Sequence, residues 1–290
     1  MLPADLRRAL RRVGGSGRTG TSPRGQGAGR RATIEAPDAF LDALPVLFPR
    51  GEGNHLAGML GGREMLSPDA GAYWLIELPL AEVWPESARR LASLHTLLSG
   101  EPVGVPKGLE HAFATGAGSL LFLDIETGGL SGCPVFLIGC LALRDSQPLL
   151  CFFLARDLDE ERPLLRALAL FWRGYECLVT FNGRSFDVPF IHDRMTYYRV
   201  KGKHSGHHVD LLHVFRRVLK GDVPNHRLQT LERHYLNRRR EDDLPGAEVP
   251  GMFYRFFETR DPALLASILQ HNALDLVTLG ELLVTYLERL

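Results

Sequence analysis

The sequence predicts an α/β domain: a mixed five-stranded sheet flanked by helices, with a small N-terminal α+β appendage. Three observations carry this. Leu120 to Leu123 is an unbroken apolar run that leads through Asp124-Ile125-Glu126 into Thr127-Gly128-Gly129, the pattern of a strand buried on both faces that ends at a turn. Val135 to Leu143 and Leu149 to Ala155 are two more apolar runs around the hairpin-like connection Arg144-Asp145-Ser146-Gln147-Pro148, so three consecutive strands form an antiparallel meander. Asp159 to Trp172 then has helical spacing and Leu178 to Phe181 reads as a short buried strand. A helix between strands implies a crossover, so this fourth strand runs parallel to the first.

Taken in order, the chain begins with residues 1 to 50, a basic flexible tail. Residues 1 to 34 hold eight arginines against one acid, Asp5, and the Gly/Ser/Arg stretch from Gly14 to Arg31 is too poor in apolar surface to order itself. Because formal net charge is zero over 290 residues, the remainder is acidic by about the same amount. Residues 51 to 117 form the appendage. Arg63 to Leu66 and Ala72 to Leu78 read as strands, Glu86 to Leu98 as a helix ended by Gly100, together a small layer packed on the main domain. That domain is residues 118 to 290. After the fourth strand, Asn182-Gly183 turns the chain, Ser185 caps a helix through Phe190 to about Tyr198, and Val209 to Leu212 is a fifth short strand before the helix His213 to Leu219. Further helices are expected at Arg227 to Leu236 and after Asp261-Pro262.

Composition narrows the class. Hydrophobic content of 45% and charged content of 23% are those of a globular protein, and no apolar segment is long enough to span a bilayer. The basic start lacks the apolar core of a secretory signal. Cys133, Cys140, Cys151 and Cys177 sit in or beside apolar runs without zinc spacing, the expectation for buried reduced thiols in a cytoplasmic protein.

The chemistry is carried by acids. Side chains alternate along a strand, so Asp124 and Glu126 share a face; either a divalent cation lies between them or the strand end reaches solvent with two hydrated acids. Asp187 falls in the first turn of the helix after strand four, where the helix dipole alone would also favour it. In the last helix, Leu264, Ile268, His271, Asp275, Leu279, Leu282 and Tyr286 recur at spacings of three and four, which puts His271 and Asp275 in an apolar stripe. An inward aspartate needs a partner, and Lys and Arg are absent between Arg260 and Arg289. A metal shared with the first strand would serve, or a self-satisfying His-Asp pair. Asp210 reads as a helix cap, His204, His207 and His208 as a solvated loop, and Arg238-Arg239-Arg240 as exposed and offset by Glu241-Asp242-Asp243. Arg184, Arg194, Arg199, Lys201 and Lys203 are candidates either to track a phosphate backbone or simply to solubilise the surface.

These pieces, D-x-E on the first strand, N-x-x-x-F-D after the fourth and H-N-A-L-D on the C-terminal helix, resemble the DEDD exonucleases of the ribonuclease H-like superfamily, and most closely the bacterial YprB-type ribonuclease H-like domain family. Arg227 to Glu232 and Asp243 to Pro250 are similar to that family as well. The resemblance implies that Asp124, Glu126 and Asp275 hold metal directly, and that Asp187 holds a second ion partly through water. It implies that His271 orients or deprotonates water, and that Thr127, Gly128, Gly129, Asn182 and Arg184 contact substrate. Two Mg2+ or Mn2+ ions are the implied cofactors, since all-oxygen carboxylate sites suit hard cations. The implied activity is 3′ to 5′ hydrolysis of DNA or RNA ends. His271 stands four residues before Asp275, where related enzymes carry a tyrosine, and Gly128 stands where a threonine is common. The alternative reading is a catalytically silent module that binds nucleic acid or a partner protein.

Overall fold

A computed structural model of the chain describes residues 56–67, 71–100, 104–105, 107–240 and 243–290, all within one compact unit, Phe40–Leu290. The basic stretch of residues 1 to 50 lies outside the described residues. The strands are β1 Arg63–Ser67, β2 Gly71–Pro79, β3 Leu120–Thr127, β4 Val135–Arg144, β5 Gln147–Leu154, β6 Cys177–Thr180 and β7 His207–Asp210. The helices are α1 Leu56–Leu60, α2 Leu80–Val83, α3 Pro85–Ala92, α4 Leu94–Leu97, α5 Glu110–Thr115, α6 Glu161–Phe171, α7 Asp187–Tyr197, α8 Leu211–Val218, α9 Leu228–Tyr235, α10 Val249–Thr259 and α11 Pro262–Leu287.

One mixed sheet holds the seven described strands in the order β1-β2-β5-β4-β3-β6-β7. The expected five are its core: β3, β4 and β5 form the antiparallel meander, and β6 and β7 add parallel to β3. The β4–β5 hairpin turns at Asp145 and Ser146, both with positive φ, which matches the right-handed twist of the flanking strands. The sheet has seven strands rather than five because the N-terminal pair does not stack as a separate layer. β2 pairs edge to edge with β5, from Trp74 opposite Leu154 to Pro79 opposite Leu149, and so buries the backbone edge that β5 would otherwise expose.

Several boundaries differ from the sequence expectation for physical reasons. The expected helix Glu86 to Leu98 is two pieces, α3 and α4, with a break at Ser93. Strand β7 begins at His207, so His207 and His208 are strand residues: His208 Nε2 lies 2.8 Å from Thr180 Oγ1, and His207 stacks on His111 at 3.6 Å. Helix α7 begins at Asp187 with Phe186 before it and no side-chain cap, so Ser185 does not cap it. Asp210 and Asp261 are caps, accepting from the amides of Leu212 at 3.1 Å and Ala263 at 3.0 Å. Helix α10, which starts within the Asp243 to Pro250 stretch, is not among the expected helices, although Val249, Phe253 and Phe256 recur at helical spacing and are buried.

Helix α11 is the axis of the molecule. It is buried on nearly every side rather than along one stripe, packed by α10 and α9 and lying over β3 and β4. Its approach to the sheet depends on Gly139 of β4, directly opposite Asp124: a Cβ there would overlap the Asn272 carboxamide and come within 2.9 Å of Leu276 Cδ1. All four cysteines are buried and unbridged. Among the described residues, no helix is long and apolar enough to cross a membrane.

Gly139→Ala is therefore expected to lower unfolding free energy by roughly 1–3 kcal/mol, the usual range for overpacking, as read from a urea titration. An unchanged midpoint would mean that α11 does not lie on β4 as described.

Candidate active site

The site forms where β3 ends. Asp124 and Glu126 alternate with Leu123 and Ile125, so the two apolar side chains are buried while the two acids share the other face and remain half-buried. That face looks toward α11, where Asn272 Nδ2 donates to Asp124 Oδ2 at 2.7 Å. Asp187, buried at 5% exposure in the first turn of α7, accepts from the Ile125 amide at 3.2 Å and is thereby pinned to the strand between the two acids. Asp275, one helical turn beyond His271, completes the group.

The electrostatics record this convergence. Desolvation, then the charges of Asp275, Asp187 and Glu126, push the Asp124 carboxyl well above the usual carboxylate range. Glu126 is pushed up to about 8, first by desolvation and then, against the lowering effect of His271, by Asp275 and Asp187. Asp187 rises to about 7, chiefly by desolvation, opposed by hydrogen bonds from its own amide and that of Ile125. Two carboxylates about 4 Å apart repel by about 4 kcal/mol at an effective dielectric near 20, so the group favours bound protons or a cation.

Part of that cation is supplied by the chain. Asp275, whose own helix offers no basic side chain, finds one elsewhere, a partner not foreseen beside the metal or His271: Arg240 Nη1 lies 2.6 Å from Asp275 Oδ1 and 3.0 Å from Asp243 Oδ2, while its Nε binds Glu232 Oε2 at 2.7 Å. Arg238 similarly turns inward to Glu281 and to Glu232. Of the three arginines expected to be exposed, only Arg239 is, because four buried or half-buried acids draw its neighbours inward. Asp243 also sits 2.9 Å from His271 Nδ1, leaving Nε2 3.8 Å from Asp275 Oδ2. Burial alone would lower the imidazole pKa, but the Asp243 hydrogen bond and the charges of Asp275 and Glu126 raise it to about 9.

Sequence reasoning misses Asn272, Arg240, Asp243 and Glu232. Asn272 lies inside the H-N-A-L-D motif, and an amide on an inward helix face is the available signal. The pairing of Arg240 with Asp275 spans a loop and two helices, so no local spacing announces it.

The expected substrate contacts lie around the same sheet end. Thr127 is buried and its hydroxyl donates to the Gly129 carbonyl at 2.6 Å, tightening the turn. Gly128 leaves room for the Tyr254 hydroxyl, which a Cβ would meet at 2.6 Å. Asn182 has positive φ, and its amide and that of Arg184 donate to Asp210 at 2.9 and 3.1 Å, so the cap of α8 also clamps the turn after β6. The Arg184 guanidinium donates to the His208 carbonyl. Arg194 is not free to meet phosphate: it forms a two-pronged pair with buried Glu161 at 2.6 Å on each arm and lies over Tyr197 and Tyr198. Arg199, Lys201 and Lys203 are exposed.

The donor set fits a hard divalent cation: three carboxylates of raised proton affinity, Asp124, Glu126 and Asp187, lie within reach of the charge of Asp275, whose side chain is still 20% exposed. Among the described residues, no three His, Cys, Asp or Glu side chains are drawn together as tightly as around a bound ion.

This sheet order, with acids at the end of its central strand and on the closing helix, defines a ribonuclease H-like protein. The chain belongs to the RNase_H superfamily, whose family profile matches residues 121–287. It is similar to the "Uncharacterized protein YprB" of Bacillus subtilis (strain 168), 32% identical over 186 residues, a match covering 61% of this chain and 45% of that protein. The chain thus spans less than half the length of that relative. A family B DNA polymerase from the archaeon Pyrobaculum calidifontis aligns structurally over 56% of this chain and 23% of its own, with TM-score 0.44 and 18% identity.

Two outcomes are expected. Arg240→Met should destabilise by about 3–5 kcal/mol in chemical denaturation, because it removes the one guanidinium shared by Asp275, Asp243 and Glu232. For pH, Glu126 binds its proton more tightly in the fold than at its ordinary 4.5, so its favourable contribution is full below 4.5 and is lost as pH rises through about 8. Metal-free Glu126→Gln should therefore gain melting temperature over the parent progressively across that window. A difference independent of pH would contradict the assignment.

Proposed function

We propose that the chain is a metal-dependent nuclease that hydrolyses phosphodiester bonds, acting as a 3′ to 5′ exonuclease on DNA or RNA. The observation that carries the reading is the convergence of four acids from three separate elements, in which burial and the charge of Asp275 raise Asp124, Glu126 and Asp187 together. A fold gains no stability from such a cluster unless something cationic enters it.

Asp124, Glu126 and Asp275 would hold the ions directly, with Asp187 on the second. When bound, two Mg2+ or Mn2+ ions supply a water nucleophile at neutral pH and neutralise charge on the reacting phosphate. The remaining work falls to the chain. Asn272 holds the Asp124 carboxylate in one orientation through its 2.7 Å bond. Arg240 takes one oxygen of Asp275 and leaves the other facing the cleft. Asp243 fixes His271 at Nδ1, so Nε2 is the atom that holds or moves a proton beside the reacting centre. The clamped turn at Asn182 to Arg184 and the turn at Thr127 to Gly129 would seat the terminal nucleotide.

A second reading is favoured by one feature. The 2.6 Å Arg240–Asp275 pair neutralises an acid without any metal, as a silent nucleic-acid-binding module would require. Release of nucleotides from 3′-labelled single-stranded DNA and RNA separates the two. Cleavage should need Mg2+ or Mn2+ and should fall by at least about 100-fold in Asp124→Ala. Equal release by the parent and Asp124→Ala, or none on any substrate, would contradict the nuclease reading.

A further inference from the structure

Residues 211 to 240 hold eight Lys and Arg against two acids, in a chain whose formal net charge is zero. One of these acids is buried and the other exposed. Glu232 is buried and bound to Arg240 and Arg238, and Asp222 lies beside Tyr235. Arg216, Arg217, Lys220, Arg227, Arg233 and Arg239 are exposed, and none forms an ion pair with a described carboxylate. Arg63, Arg89, Arg156, Arg194 and Arg260, by contrast, each pair with an acid.

The helices that carry or flank these six side chains, α8 and α9, share one support. Phe215 and Leu219 from α8 and its end, and Leu231 and Tyr235 from α9, line a single small cleft with Leu282, Tyr286 and Arg289, so both helices dock side by side on α11. The cleft-facing side chains point inward, which leaves the basic ones on the neighbouring solvent faces. Arg239 immediately precedes Arg240, whose guanidinium touches Asp275.

We propose that this α8–α9 face is the binding track for the phosphate backbone of a polynucleotide whose end lies in the acid cleft. The proposal rests on the nuclease reading for the identity of the polyanion. Charge complementarity commits it to that occupant: unpaired guanidinium groups spaced along a surface, with no acid between most of them, fit a row of phosphates. A peptide surface rich in acids would offer neither regular spacing nor an end for the cleft. Backbone contacts of this kind position a strand without reading its sequence.

The test uses the full chain with Asp124→Ala to prevent cleavage, and follows binding of fluorescent 20-nucleotide single-stranded DNA and RNA by anisotropy across roughly 50–200 mM salt. Combined Arg216→Gln, Lys220→Gln, Arg227→Gln and Arg239→Gln should weaken binding by at least about 10-fold at the lowest salt. The slope of log affinity against log salt should shrink by about 0.7 for each phosphate that the variant no longer neutralises. Arg89→Gln with Arg260→Gln, bases already paired with acids, should change neither quantity. Two double variants, Arg216→Gln with Lys220→Gln and Arg227→Gln with Arg239→Gln, serve if the quadruple variant loses its cooperative melt. An unchanged slope in the variants, or parent binding that is insensitive to salt on both polymers, overturns the track. Failure of the nuclease reading shows separately, as loss of Asp124-dependent cleavage with this binding intact.

Discussion

Like charge held at close quarters governs this molecule. Asp124, Glu126, Asp187 and Asp275 come from β3, α7 and α11, and burial together with the charge of Asp275 raises the proton affinity of the other three. Such an arrangement opposes folding unless compensated, and the chain compensates it only in part. Arg240 neutralises Asp275, Asn272 donates to Asp124, and the Ile125 amide donates to Asp187. Glu126 has the favourable charge of His271 and no guanidinium. The residual negative field is what makes the cleft receptive to hard cations.

Architecture follows from that requirement. The central strand must be rigid where the acids emerge, so β3 sits between antiparallel β4 and parallel β6, with Leu120 to Leu123 fully buried. The helix carrying His271 and Asp275 must approach the sheet closely, which a bare Cα at Gly139 permits. A second layer of buried charges then holds the first. Glu232, Thr278, Arg240 and Asp243 form a connected set, in which Thr278 Oγ1 donates to Glu232 Oε1 at 2.9 Å. Networks of this type fix side-chain orientation at some expense of stability.

Much of this was legible in the sequence where local periodicity carried it. The meander, the parallel crossover to β6, the Asp210 and Asp261 caps, and the shared face of Asp124 and Glu126 all follow from alternation, helical spacing and turn chemistry. What escaped was tertiary. β2 joins the sheet because β5 has an unpaired edge, and nothing within Gly71–Pro79 says which strand will receive it. Arg238 and Arg240 look like solvated surface from their neighbours, yet buried acids on the distant helix α11 draw them inward. Arg194 is a candidate phosphate ligand on charge alone, whereas Glu161, buried at 1% exposure, claims it.

The central claim concerns where cations sit, so crystals soaked in Mn2+ and measured at the manganese anomalous edge test it most directly. The account predicts anomalous density in the cleft with oxygens of Asp124, Glu126 and Asp275 at about 2.0–2.3 Å, and the Asp187 carboxylate turned toward it. A cleft without anomalous density at saturating Mn2+, with Arg240 still closed on Asp275 and the four acids unmoved, would contradict it.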